Sequence, residues 1–100
     1  MDIRLSRPCV DDPKRYIAEC HLGKRVDIEK SCQLLRGIGA KDLKCSVKLG
    51  VARFELEGRS VMIYGSGRVD IRKIQTTDEA RDVMGQIMKI VKNALIDTSS

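Results

Sequence analysis

Beyond Gly39, apolar side chains recur at every second position in four short runs: Cys45 and Val47, then Ala52, Phe54 and Leu56, then Val61 and Ile63, then Val69 and Ile71. Successive side chains of an extended chain point to opposite sides, so each run can bury one face of a strand. Gly50, Glu57-Gly58-Arg59 and Gly65-Ser66-Gly67 interrupt the runs and supply the backbone freedom of tight reversals. The pattern predicts four consecutive strands of an antiparallel meander. The period then lengthens: Ala80, Val83, Met84, Ile87, Ile90, Val91, Ala94 and Leu95 form a helical stripe, opened by Thr76-Thr77-Asp78-Glu79, which fits a capping box. A sheet with one apolar face needs such a cover, and a stripe of this kind is core before it is a partner groove.

Upstream, Tyr16, Ala18, Cys20 and Leu22 alternate with Ile17, Glu19 and His21, which predicts a strand from Arg15 to Leu22 ended by Gly23. Ile28, Cys32, Leu34 and Leu35 recur at helical spacing over Asp27 to Arg36, with Asp27 as N-cap and Gly37 as the stop. Pro8, Pro13 and Asp11-Asp12 mark residues 1–14 as an N-terminal arm or a short edge strand leading into a turn. The expected fold is a two-layer α+β domain over residues 15–96, β-α-β-β-β-β-α, with a curved antiparallel sheet of about five strands and two helices on one face. Residues 97–100 are expected to be a disordered tail.

A chain of 100 residues, 42% apolar and 33% charged, has the size and composition of one globular domain. No apolar run approaches the ~20 residues that cross a bilayer, and no secretory segment opens the chain, so the expectation is a cytoplasmic protein without a membrane partner. The formal charge of +5 favours anionic partners, although acids and bases are interleaved as on an ordinary solvated surface.

Three strings resemble the TATA-binding protein family: Tyr16 to Ile28, with its leucine-glycine exit and aspartate helix entry; Leu49-Gly50-Val51-Ala52-Arg53; and Val61-Met62-Ile63-Tyr64-Gly65-Ser66-Gly67-Arg68-Val69-Asp70-Ile71. Together with the element order they resemble one half-repeat of that family's saddle, over roughly residues 15 to 96, and invite comparison with archaeal transcription proteins. The resemblance implies a concave sheet face that meets the DNA minor groove, where apolar wedges enter base steps. Tyr64 stands at one wedging phenylalanine position, and Lys48 falls at the other. Periodicity puts Ile17, Glu19, His21, Val51, Arg53, Glu55, Met62, Tyr64, Arg68, Asp70 and Arg72 on that face. Glu19, Glu55 and Asp70 depart from the family's pattern, because carboxylates are repelled by phosphate and costly to desolvate unpaired. A single half also lacks the second repeat, which a homodimer could supply.

For chemistry the sequence offers little. It has one histidine and no recognisable nucleophile and base arrangement, and Gly65-Ser66-Gly67 is too short to cradle a phosphate. Four cysteines, Cys9, Cys20, Cys32 and Cys45, suit zinc or an iron-sulfur cluster in number. Their spacing of eleven to thirteen residues, without a Cys-x-x-Cys pair, favours free thiols, with Cys20, Cys32 and Cys45 on core faces. The leading expectation is a non-enzymatic binding module without a cofactor, holding nucleic acid or a protein partner through Lys48, Arg53, Met62, Tyr64, Arg68 and Arg72. Cross-strand pairing with Glu55 and Asp70 would equally account for these cations. The alternative is a cysteine-ligated metal or cluster protein.

Overall fold

The computed structural model describes residues 3–6 and 16–96, with side chains described from residue 16 onwards. In chain order the elements are β1 (Ile3–Ser6), β2 (Tyr16–His21), β3 (Arg25–Val26), α1 (Ile28–Gly37), β4 (Lys41–Ser46), β5 (Val51–Leu56), β6 (Arg59–Tyr64), β7 (Arg68–Ile74), α2 (Thr77–Val91), a 3-10 turn at Lys92–Ala94 and β8 (Leu95–Ile96). Six strands pair antiparallel in the order β1-β2-β7-β6-β5-β4, and β3 with β8 makes a separate ribbon. The predicted α+β arrangement is present: the five expected strands in one antiparallel sheet and two helices against it. Ile3–Ser6, within the arm, adds a sixth strand at the β2 edge. The remainder of the arm and residues 97–100 lie outside the described residues.

The helices follow their capping signals. Asp27 accepts from the Lys30 amide at 3.2 Å and starts α1, and Thr76 accepts from the Glu79 amide at 3.1 Å and starts α2. Gly37 does not stop α1 but is its last residue; the left-handed residue that ends the turn is Gly39, with φ of 73°. The helix α1 lies against β4 and β5, α2 lies against β1, β2 and β7, and the two helices touch each other.

The alternating residues of the sheet supply the other half of the core. Ala18, Cys20, Ala52, Phe54, Val61, Ile63, Val69 and Ile71 are buried with Leu35, Val83, Met84 and Ile87 from the helices. A full-sized aliphatic or aromatic side chain contributes about 1.5–3 kcal/mol when so buried, which fixes the sheet's register, because a one-residue slip would turn each strand inside out. At β4 the expected pattern fails. The strand ends at Ser46, Val47 sits in the following turn at 61% exposure, and Leu43 is the apolar residue that packs on the core. As an outer strand, β4 pairs with β5 alone, on one of its two edges.

Candidate nucleic-acid interface

The face opposite the helices is assembled by strand register. One row crosses Glu19 on β2, Asp70 on β7, Met62 on β6, Arg53 on β5 and Lys44 on β4, each residue standing opposite the next. Its charge runs from two carboxylates through a thioether to two cations. The face therefore has an acidic end and a basic end.

At the acidic end the charges are engaged. Arg68 donates through Nε to Asp70 Oδ1 at 3.0 Å and through Nη2 to Asp70 Oδ2 at 3.3 Å, and Nη2 is 3.7 Å from Glu19 Oε2. The Tyr64 hydroxyl donates to Asp70 Oδ2 at 3.4 Å, and the Arg68 guanidinium lies 5.7 Å from the Tyr64 ring centre. Burial, then the neighbouring Asp70 charge, pushes the Tyr64 hydroxyl above its ordinary value, and the hydrogen bond to Asp70 raises Arg68. Arg68 and Tyr64, both expected to contact a ligand, are thus tied to carboxylates: Arg68 to Asp70 within β7 and to Glu19 across strands, and Tyr64 to Asp70 across strands.

The basic end is different. Lys44, Arg53, Arg72 and Lys73, with Asp42, Glu55, Ser60 and a part of Phe54, line a depression of about 300 Å³. Ion pairs among the described residues engage Arg59, Arg68 and Arg81, and none of the four cations of the depression. Two bulges shape it. In β4 an extra residue between Lys41 and Lys44 places Asp42 at φ of 51°, and in β7 an extra residue places Lys73 at φ of 64°. A left-handed residue other than glycine costs about 1–2 kcal/mol. The bulge at Lys73 turns this lysine outward beside Arg72 and returns Ile74 to the core.

Of the residues singled out from sequence, Arg53, Met62, Tyr64, Arg68 and Arg72 share this face, and Arg53 stands opposite Met62. Arg53 and Arg72 alone of them line the basic depression, whereas Lys48 sits in the β4–β5 turn. Lys44 and Lys73 were not foreseen. The signal for Lys44 was present, since it alternates with Cys45. None existed for Lys73, because unbroken alternation would have sent it inward.

Among the described residues the cysteines make no metal site. Cys32 and Cys45 form a disulfide that joins α1 to β4, which overturns the expectation of free thiols for this pair. Cys45 is on the core side, opposite Ala52, but is exposed because β4 lies at the sheet's edge. Cys20 is buried and its thiol is pushed up to about 11, mainly by desolvation and then by Asp70 and Glu19, so it is a poor source of thiolate. Among the described residues no group of three or more His, Cys, Asp or Glu could hold a metal ion. Cys9 lies outside the described residues, and the zinc or iron-sulfur alternative is not supported, since Cys32 and Cys45 are taken by the disulfide.

With the sheet order, the two helices on one face and the basic depression in place, the architecture is that of a TBP-like fold. A search of solved structures matches the TBP of Methanococcus jannaschii, with a TM-score of 0.66 and 18% identity, over 81% of this chain and 47% of that one. The chain thus spans about half the length of that protein. No protein-family model matches the chain. No curated protein matches it either. Among the described residues no helix is long and apolar enough to cross a membrane.

Proposed function

We propose that this chain is a non-enzymatic binding module that holds nucleic acid on the basic end of its exposed sheet face. The observation that carries this reading is a set of cations, Lys44, Arg53, Arg72 and Lys73, that have no carboxylate partner among the described residues and gather around one depression shaped by two bulges. Guanidinium and ammonium groups bind phosphate oxygens, and the release of condensed counterions makes such binding depend steeply on salt. Met62, next to Arg53, offers an apolar surface for a sugar or base edge. Tyr64 and Arg68 define the border of the site and, held by Asp70, do not reach for phosphate.

The acidic end argues for contact over half the face and against burial of the whole face in a groove, since Glu19 and Asp70 would meet phosphate there. A homodimer that extends the sheet would form through β1 or β4, whose outer edges carry no strand among the described residues, because β2 is already paired on both sides. A protein partner in place of nucleic acid would bind with little salt dependence.

The test is fluorescence anisotropy with labelled duplex and single-stranded oligonucleotides at several salt concentrations. If three cations each neutralise one phosphate of a duplex, log K falls with log salt at a slope of about −2.7. Arg53→Glu and Arg72→Glu should each weaken binding, and Arg81→Glu, on α2, should leave it unchanged. Absence of saturable binding, or a slope near zero, would refute the reading.

A further inference from the structure

On the helix layer, three segments meet around a second depression of about 490 Å³. Leu22 after β2, Met88 on α2 and Leu95 on β8 provide apolar surface, and Lys24, Lys89 and Lys92 provide the charge. Among the described residues no carboxylate lines it, and none of the three lysines has an ion-pair partner. Lys89 and Lys92 lie at the C-terminal end of α2, where a cation is favoured by the helix dipole. Lys24 belongs to the β2–β3 turn and gains nothing from a helix.

The depression is preformed. Its β2–β3 side is fixed by the β6–β7 turn: the Leu22 amide donates to the Gly67 carbonyl at 2.8 Å, and a Cβ on Gly67 would overlap the Lys24 carbonyl oxygen. On the other side Leu95 pairs with Val26 in the β3–β8 ribbon, and the Asp27 amide donates to the Ala94 carbonyl at 2.8 Å. Gly85, one turn before Met88 and Lys89, is exposed with nothing within 4 Å of where its Cβ would stand. A glycine inside a helix lowers helix stability, and here it leaves the approach along α2 low and open.

We propose that this depression docks an acidic peptide segment through one aliphatic side chain. The side chain seats on Leu22, Met88 and Leu95, and carboxylates on either side of it meet Lys24, Lys89 and Lys92. Apolar contact at the centre with complementary charge at the rim is the usual anatomy of a peptide-sized interface. The surface shares no residue with the basic depression of the sheet, so either site can fail without the other.

The experiment uses the full chain and a short fluorescein-labelled peptide of glutamates flanking a central leucine, with a second peptide in which serine replaces the leucine. At about 0.15 M salt, where screening acts over about 8 Å, the leucine peptide should bind saturably and the serine peptide about tenfold more weakly, as expected for loss of a central anchor. Lys24→Glu should weaken the leucine peptide about tenfold through like-charge repulsion, while Arg53→Glu should leave it unchanged. The comparison of the two peptides on the unaltered chain decides the matter even if Lys24→Glu does not fold. Equal affinity for both peptides, no saturable binding, or binding only to phosphatidylglycerol vesicles would overturn the proposal.

Discussion

Reduction of the Cys32–Cys45 disulfide is expected to destabilise the fold by about 3 kcal/mol, from the entropy that a cross-link of this span removes from the unfolded chain. The bond closes a loop of sequence separation 13 between the centre of α1 and an outer strand. Little else changes on reduction, since Cys45 is exposed already and Cys32 remains a small buried thiol. Chain entropy therefore dominates the difference. For a domain of this size the loss corresponds to roughly 12–24 °C in melting temperature. The assay is urea unfolding followed by circular dichroism, with and without a phosphine reductant, on the natural chain and on Cys45→Ser. The oxidised chain should stand alone, with the reduced chain and Cys45→Ser close together. The oxidised chain should also show a smaller dependence on urea, because its unfolded state exposes less surface. If reduction shifts stability by less than about 1 kcal/mol, the loop-entropy reasoning fails for this bond.

Other perturbations test the packing and charge arguments. Arg59 donates through Nε to Glu79 Oε1 at 2.9 Å, and this bond holds the Glu79 carboxyl below its ordinary value of 4.5. A depressed carboxylate adds stability above its unfolded-state value and loses it as pH falls through the folded-state value, so the loss should appear below pH 4.5. Glu79→Gln should cost about 1 kcal/mol at neutral pH, since the pair is partly solvated, and should flatten that acid limb in pH-dependent urea melts. Gly67→Ala combines a φ of 97° with overlap on the Lys24 carbonyl, and should cost about 2–3 kcal/mol in thermal unfolding. Lys73→Gly should do the opposite, raising stability by up to about 1 kcal/mol as the left-handed strain is removed. It should also reduce the salt slope of nucleic-acid binding by about one.

Those parts of the fold governed by neighbours in sequence could be read from the residues. The helical stripe from Ala80 to Val91, the cap at Asp27 and the alternation in β2, β5, β6 and β7 each depend on spacings within one element and appear at the expected places, whereas Ala94 and Leu95, expected on the same helix, lie in the 3-10 turn and β8. Glu57 and Gly58 both take positive φ, 52° and 77°, which is the geometry a two-residue hairpin turn demands. What escaped depends on contacts between distant segments. The bulges at Asp42 and Lys73 arise from a mismatch of residue counts across paired strands, which a single strand's pattern does not contain. The disulfide required α1 and the β4 edge to be brought side by side. For the candidate site, the exposed face could be assigned by alternation, but its division into a paired acidic end and an unpaired basic end could not, because it depends on which cation reaches which carboxylate.

The sheet order also constrains when the molecule can become whole. The central pairing joins β2, near the start of the chain, to β7, which begins at Arg68. During synthesis the hairpins from β4 to β7 can close one after another as each turn emerges. Until then β2 has only β1 beside it, and its other edge waits for partners that lie between His21↔Arg68, 47 residues apart, and Tyr16↔Ile74, 58 residues apart. Closing so long a loop is slow and leaves an unpaired strand open to wrong company in the interval. The short strand at Ile3–Ser6, paired along one side of β2, is close enough in sequence to cover that side before the other has anything to meet.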